Sequence, residues 1–387
     1  MTEKVRVGII GASPNGSWGT MAHLPALQAL PQFEVVAVAT AHQSTAEQTA
    51  AAFAIPSAFG DPYQLIAHPE VDVVSICVRV PAHYNLVMAA LDAGKHVYCE
   101  WPLGRNTAEA ARMAAAARSK NLLHMVGLQA RNAPVLERAR DLIAEGYIGS
   151  VHACSLNHSV DWMPVLPGSL TYLQDIDSGA HMLSIPGGHS IDALCWLLGE
   201  FRELSATAKT RIAEITIAET GGKYPRTSPD QIVVNGELAN GAVACVRIQG
   251  SPSHGTGVRL EINGDRGDLV ITTAPGARGI QMADLTLLHT VGPGALAELE
   301  VPASYFDVPP SIHTGPPLNV ARSYQQLAAA IVDGGAVANF DTAVMRHKTL
   351  DHILESSRQG RRVSIDSKEL DIGQSRSDLC HNDLRKR

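Results

Sequence analysis

The sequence holds little that would take it to nucleic acid, a membrane or an oxidising compartment. It has no tract of five or more basic residues, and its 31 Lys and Arg are outnumbered by 38 Asp and Glu, for a formal charge of −7. That balance argues against direct binding to nucleic acid or anionic lipid. The longest apolar runs, such as 73–78 and 193–198, fall far short of the ~18 residues a bilayer span needs. The six cysteines (Cys77, Cys99, Cys154, Cys195, Cys245 and Cys380) stand singly, with no CxxC. They read as reduced thiols rather than a disulfide framework or a zinc site. The few residues before Val5 leave no room for the apolar stretch of a signal peptide. HExxH, GxSxG and GKS/T are absent, so zincin, serine-hydrolase and P-loop chemistry have no support and no metal is expected. The expectation is a cytoplasmic protein.

What is present is a chain of 387 residues, 45% hydrophobic, which suits two domains rather than one core. Over residues 1–128, short β-rich runs alternate with helical segments, the signature of a doubly wound parallel sheet. Val5–Ile10 is nearly all apolar, as a strand buried on both faces should be. Phe33–Thr40, Val71–Val78, His96–Cys99 and His124–Leu128 repeat the pattern. Ser44 with Glu47 and Asn106 with Glu109 read as capping boxes. Asp61-Pro62 reads as a cap followed by proline, and Gly94 as the stop of a helix over His83–Ala93.

Residues 129–360 read differently. A helix over Pro134–Glu145 leads to a strand over Val151–His158, an irregular stretch, and a helix over His189–Leu198. A run of strands follows. Gln231–Ala239 and Ala242–Gln249 flank Asn240-Gly241, a strong hairpin signal. Val258–Asn263 and Asp268–Thr273 flank another turn, and helices over Asn319–Val332 and Thr342–Ser357 close the pattern. The fold class is α/β: an N-terminal Rossmann sheet, then an α+β domain with a large, open, mainly antiparallel sheet. Residues 361–387 read as a polar tail, partly disordered.

The first strand ends in Gly11-Ala12-Ser13-Pro14-Asn15-Gly16-Ser17-Trp18-Gly19, ahead of a helix. A dinucleotide loop needs glycine for its turn, small residues for close approach to the pyrophosphate, and a helix N-terminus beyond. Gly11 and Gly16 fit the first and third glycines of GxGxxG, with Ser13 replacing the second. The carboxylate that grips a ribose 2′-hydroxyl is missing where strand two ends. Thr40, His42 and Ser44 stand there as donors to a 2′-phosphate, so the cofactor expected is NADP in preference to NAD. Pro14, Asn15 and Trp18 complete the loop side of the site.

The loop with His23-Leu24-Pro25-Ala26-Leu27, the stretch Ala93–Pro102 and the run Gly187–Asp192 together resemble the Gfo/Idh/MocA oxidoreductase family. Gln129–Pro134, Glu145–Gly149, Glu100-Trp101 and Tyr172–Asp175 are similar to the branch of that family typified by the galactose regulator Gal80. The resemblance implies a Rossmann domain with NAD(P) and an open sheet that often forms an oligomer interface, hence a homodimer or homotetramer. It also implies NAD(P)-dependent oxidation or reduction of a small polyhydroxylated substrate.

The resemblance places a catalytic lysine at Trp101 and an acid/base aspartate at Ile185, so of the usual relay only His189 is kept. An imidazole suits single-proton work at neutral pH, and Asp192, one turn on, stands where it could orient it. Tyr172 and His181 are further candidates for the proton. Arg79, His83, Glu100, Trp101 and Gln129 are candidate cofactor contacts. Trp101, Arg131, His158, Trp162, Asp175 and Asp192 are candidate substrate contacts, the tryptophans by stacking. The leading expectation is a dehydrogenase or reductase acting on a carbohydrate-like or other carbonyl or hydroxyl compound. The alternatives are a non-catalytic NAD(P)-binding regulator of the Gal80 kind and an NAD-dependent glycosidase.

Overall fold

The computed structural model describes residues 4–160, 164–250, 257–274 and 277–366. The described chain divides into two compact units, one holding residues 4–128 and 307–345, the other 129–306 and 346–366. A continuous second domain over 129–360 would have kept 307–345 with the second unit.

The first unit is built on six parallel strands: β1 (Val5–Ile10), β2 (Phe33–Ala39), β3 (Ser57–Phe59), β4 (Val73–Ile76), β5 (His96–Glu100) and β6 (His124–Gly127). Their order, β3-β2-β1-β4-β5-β6, reverses direction of travel between β1 and β4. At such a switch point, open α/β sheets leave a crevice beyond the strand ends. Val7 and Ile9 of β1, and Val73, Val74 and Ile76 of β4, are fully buried, as helices on both faces require. The helices are α1 (Leu24–Ala29), α2 (Gln43–Phe53), α3 (Pro62–Ile66), α4 (His83–Asp92) and α5 (Thr107–Ser119). Two begin on their expected caps. Asp61 accepts the Tyr63 N–H at 2.9 Å, and Asn106 accepts that of Glu109 at 2.9 Å. The Ser44–Glu47 box does not form. Helix α2 starts at Gln43, two residues before a Ser44 cap would start it, after an uncapped His42, and Gln43 spans from Glu47 to the Gly60 N–H.

The late helix Pro316–Asp333 packs against α1. It carries the fully buried Tyr324 into the first unit. Just after it, the Ala338 carbonyl accepts the Val126 N–H at 2.7 Å, and His124 Nδ1 accepts the Phe340 N–H at 3.0 Å. These bonds tie the returning chain to β6.

The second unit is a nine-stranded sheet with helices on one face. Across it run Ala297–Glu298, Leu285–Val291, Gly267–Thr273, Val258–Gly264, Val151–Val160, Val243–Gly250, Gln231–Leu238, Phe201–Lys209 and Val363–Ser364. Every neighbouring pair is antiparallel except Val151–Val160 with Val243–Gly250. Asn240-Gly241 makes the expected hairpin, with Gly241 at φ +88°. Burial alternates along the central strands. Ala244, Val246 and Ile248 are fully buried while Val243, Cys245 and Arg247 are exposed, so one face of the sheet stays open. Part of the polar tail is structured, since Val363–Ser364 forms the edge strand. Residues 367–387 lie outside the described residues. No helix among the described residues is long and apolar enough to cross a membrane.

Candidate functional site

The glycine loop leaves β1 through Gly11, at φ +101°. A Cβ there would fall 2.5 Å from the Cys77 carbonyl oxygen, so only glycine passes this close to the end of β4. Pro14, Asn15 and Gly16 form an exposed turn. The Ser13 carbonyl accepts hydrogen bonds from Ser17 Oγ at 3.2 Å and Thr20 Oγ1 at 3.1 Å, which lash the loop to the first helical turn. The glycine that lets helix and strand pack closely is Gly19 rather than Gly16. A Cβ on Gly19 would meet Ala12 Cα at 2.9 Å, whereas one on Gly16 meets nothing within 4 Å. Gly16 serves the turn instead, at φ +79°. Trp18 is half-buried, and its buried indole N–H meets no acceptor among the described residues. A loop closed to any Cβ at its two ends and an unmet donor suit a phosphate-bearing ligand over it.

At the end of β2 one expected donor is already engaged. Thr40 donates its hydroxyl proton within its own turn, where the His42 carbonyl lies at 2.9 Å and Thr45 Oγ1 at 2.6 Å. It therefore shapes the turn instead of reaching a 2′-phosphate. His42 and Ser44 are exposed. Past β4, Arg79 is exposed and precedes the turn Val80–Ala82. His83 is not a cofactor contact: it is 1% exposed, with Nδ1 2.9 Å from the Pro102 carbonyl and Nε2 3.0 Å from that of Val78. Its ring clamps the chain leaving β4 to the chain leaving β5. Glu100 and Trp101 occupy that second exit, and Trp101 is buried.

Sequence reasoning misses a polar cluster behind Glu100. His23 Nε2 lies 2.9 Å from Glu100 Oε1, and His23 Nδ1 lies 2.8 Å from the Tyr324 hydroxyl. Ser75 Oγ approaches that hydroxyl to 2.7 Å. Gly127 makes room for the carboxylate, because a Cβ there would stand 2.6 Å from Glu100 Oε1. The family-like run from His23 to Leu27 was the available signal, but nothing in it points to Tyr324, 301 residues away.

In the second unit, His189 is buried in the first turn of the helix Gly188–Leu198. Asp192 spends its hydrogen bonds on arginines. Both its oxygens are taken by Arg131, at 2.8 Å from Nε and 2.7 Å from Nη2, and Arg346 Nε stands 3.3 Å away. Burial raises the Asp192 pKa, but the Arg131 and Arg346 guanidinium groups outweigh it and hold the carboxyl below its ordinary value. Arg131 is thus an ion-pair partner rather than a substrate contact. Arg346, fully buried, also grips both oxygens of Glu200 at 2.8 and 3.0 Å.

His158 is buried with Nδ1 2.8 Å from Ser190 Oγ, and burial pushes its pKa down to about 4. That places it inside the packing of strand on helix, not at a substrate. His181 is also buried, its pKa likewise pushed down to about 4, and its N–H donates to Ser184 Oγ at 2.8 Å. An imidazole so reluctant to charge holds no proton to give at neutral pH. Asp175 caps the turn Ile176–Ser178, its Oδ1 accepting the Asp177 N–H at 3.0 Å and the Thr227 hydroxyl at 3.3 Å, a structural duty in place of a substrate contact. Tyr172 is half-buried in the turn Gly168–Gln174, and Gln129 is buried in Gln129–Asn132. Trp162 lies outside the described residues. Among the described residues no three His, Cys, Asp or Glu gather as metal ligands.

Residues 5–128 match the model of the oxidoreductase family with an NAD-binding Rossmann fold, and residues 134–273 match that of the Gal80p C-terminal domain. The dehydrogenase aclE of Aspergillus oryzae is 27% identical over 94% of this chain and 99% of its own. Levoglucosan dehydrogenase of Pseudarthrobacter phenanthrenivorans is 30% identical over 69% of this chain and 73% of its own. A solved structure of levoglucosan dehydrogenase with NADH and L-sorbose matches with a TM-score of 0.81 at 26% identity, over 94% of this chain and 100% of that one. The galactose/lactose metabolism regulatory protein GAL80 of Kluyveromyces lactis is 29% identical over 69% of this chain and 65% of its own. Matched in both halves of its sequence, the chain belongs to the Gfo/Idh/MocA oxidoreductase family.

Proposed function

We propose that the protein is an NAD(P)-dependent dehydrogenase or reductase of a small carbohydrate-like, carbonyl- or hydroxyl-bearing compound. The observation that carries this reading is the loop Gly11–Gly19, closed to any Cβ at both ends and set at the switch point of a 3-2-1-4-5-6 sheet. When bound, a nicotinamide supplies or accepts the hydride. The chain's part is to seat the dinucleotide, wall the site with Trp101 and move one proton. His189 takes that last role. Tyr172 is the second candidate, because burial leaves His181 neutral and Asp192 is spent on two arginines.

NADP is the preferred cofactor in this reading. No carboxylate closes β2, and His42 and Ser44 remain exposed beside it as donors to a 2′-phosphate. The open sheet face bearing Val233 and Val243 is assigned to a homodimer or homotetramer contact, which sedimentation of the purified protein reads directly. The five described cysteines are all free thiols, in keeping with a cytoplasmic setting.

The second reading is a dinucleotide-binding regulator. Trp101 and Ile185 favour it, since neither side chain carries a proton to exchange. One assay separates the two. Substrate-dependent change in nicotinamide absorbance, falling about 10²–10⁴-fold in His189→Asn with cofactor affinity kept, supports the enzyme. Tight nucleotide binding without turnover across sugars, ketoses and other carbonyl compounds supports the regulator.

A further inference from the structure

The polar groups behind Glu100 form one connected set of hydrogen bonds. An ionised carboxylate only accepts, so the contact between Glu100 Oε1 and His23 Nε2, 2.9 Å apart, needs the proton on Nε2. The other ring nitrogen, Nδ1, faces the opposite way. Its partner at 2.8 Å is the Tyr324 hydroxyl, and burial pushes that phenol's pKa far up, so its proton stays on. Ser75 Oγ lies 2.7 Å from the Tyr324 oxygen and 3.4 Å from His23 Nδ1. The set thus connects Ser75 on β4, Tyr324 and His23 to the carboxylate at the end of β5.

The His23 side chain is only 1% exposed and that of Glu100 12%, so the chain is shielded from water along its length and opens at the carboxylate. The rings of Tyr98 and Tyr324 pack around His23, with centroids 5.2 and 5.6 Å from it. Gly127 meets the same carboxylate from β6, where any side chain would displace it. Two independent features therefore converge on the position of one oxygen.

We propose that Ser75, Tyr324 and His23 are positioning residues for the nicotinamide half of the dinucleotide, acting through Glu100. A fixed, acceptor-only carboxylate selects hydrogen-bond donors, and a nicotinamide riboside offers them in its ribose hydroxyls and its carboxamide N–H. The inference rests on the dinucleotide reading above. It adds that the helix Pro316–Asp333 returns to the first unit in part to deliver the Tyr324 hydroxyl.

The test compares NADH with ADP, which lacks the nicotinamide riboside, in the full-length chain and its Tyr324→Phe and Gly127→Ala variants. Titration calorimetry should show NADH affinity falling about tenfold in each variant, the weight of one hydrogen bond to a charged group. ADP affinity should hold within about twofold. In parallel, ¹⁵N spectra should show His23 protonated at Nε2 alone in the parent and as a mixture of tautomers in Tyr324→Phe. Should Tyr324→Phe fail to fold, Gly127→Ala, which leaves His23 and Tyr324 in place, carries the same comparison. Equal losses for NADH and ADP, or none for either, overturn the positioning role while leaving the dinucleotide reading intact. A parent chain that binds neither nucleotide overturns both.

Discussion

The charges of the two units are used in opposite ways. In the first unit, Glu100 sits at a strand end, held from behind by the hydrogen-bonded side chains of His23, Tyr324 and Ser75. In the second unit, the buried Asp192 and half-buried Glu200 face Arg131 and Arg346, charge against charge, with little left to offer a ligand. A carboxylate one helical turn from a candidate histidine looks catalytic in sequence, and here it is a lock. The lesson is to ask of every buried acid which base neutralises it before giving it to a substrate.

The sharpest way to break this contrast is Asp192→Ala. It takes the carboxylate from the largely buried Arg131 guanidinium, while Arg346 keeps Glu200, and should cost about 3–5 kcal/mol, read as a lower urea midpoint. Nucleotide affinity of the protein that stays folded should be unchanged. If stability holds and affinity falls instead, Asp192 faces a ligand after all.

The next effect belongs to the glycine loop. Gly19→Val drives side-chain atoms into the Ala12 backbone and should cost about 1–3 kcal/mol and weaken nucleotide binding at least tenfold. Gly16→Ala meets no neighbour and should cost only the left-handed backbone penalty, about 1–2 kcal/mol. Calorimetric melting and NADH titration of the two variants would rank them. The reverse order would return the packing role to Gly16.

The effect spread over the most groups is acid sensitivity. Burial holds His124, His158 and His181 at about 4 in the fold, below the ordinary 6.5. The unfolded chain therefore binds more protons between those values. The stability these imidazoles give is complete above about pH 6.5 and drains as pH falls towards 4, by roughly 1.4 kcal/mol per pH unit for each titrating group. Asp192, held below 3.8, should still keep its ion pairs through that window. Urea unfolding at stepped pH should thus show a first loss that persists in a background lacking Asp192. A loss confined below pH 4 would contradict the assigned burial of the three histidines.

Much of the fold is legible in the sequence. Strands covered on both faces read as unbroken apolar runs, and Asp61, Asn106 and Asn240-Gly241 act where local chemistry says they should. Local rules fail where the partner is distant. The helix Pro316–Asp333 carries its amphipathic pattern plainly, yet the pattern does not say that Tyr324 faces His23. Arg131 and Asp192 each look like a ligand-binding charge until 61 intervening residues fold them together. Gly16 fits the motif by spacing, while Gly19 has the contact the motif exists to provide. Ser44 and Glu47 fit a capping box by type, but α2 begins two residues too early for it. The site is therefore legible as a location and much less so as a set of roles.

The most direct test of the central claim is titration of the purified protein with NADPH and NADH, following energy transfer from its tryptophans to the nicotinamide. A panel of sugars, ketoses and other carbonyl compounds would then be added to the same cuvette. The expected result is saturable binding, tighter for NADPH, lost in Gly19→Val and followed by oxidation of the bound nucleotide with at least one compound. Absence of energy transfer with either nucleotide would contradict the assignment of the Gly11–Gly19 loop, and the oxidoreductase reading would fall with it.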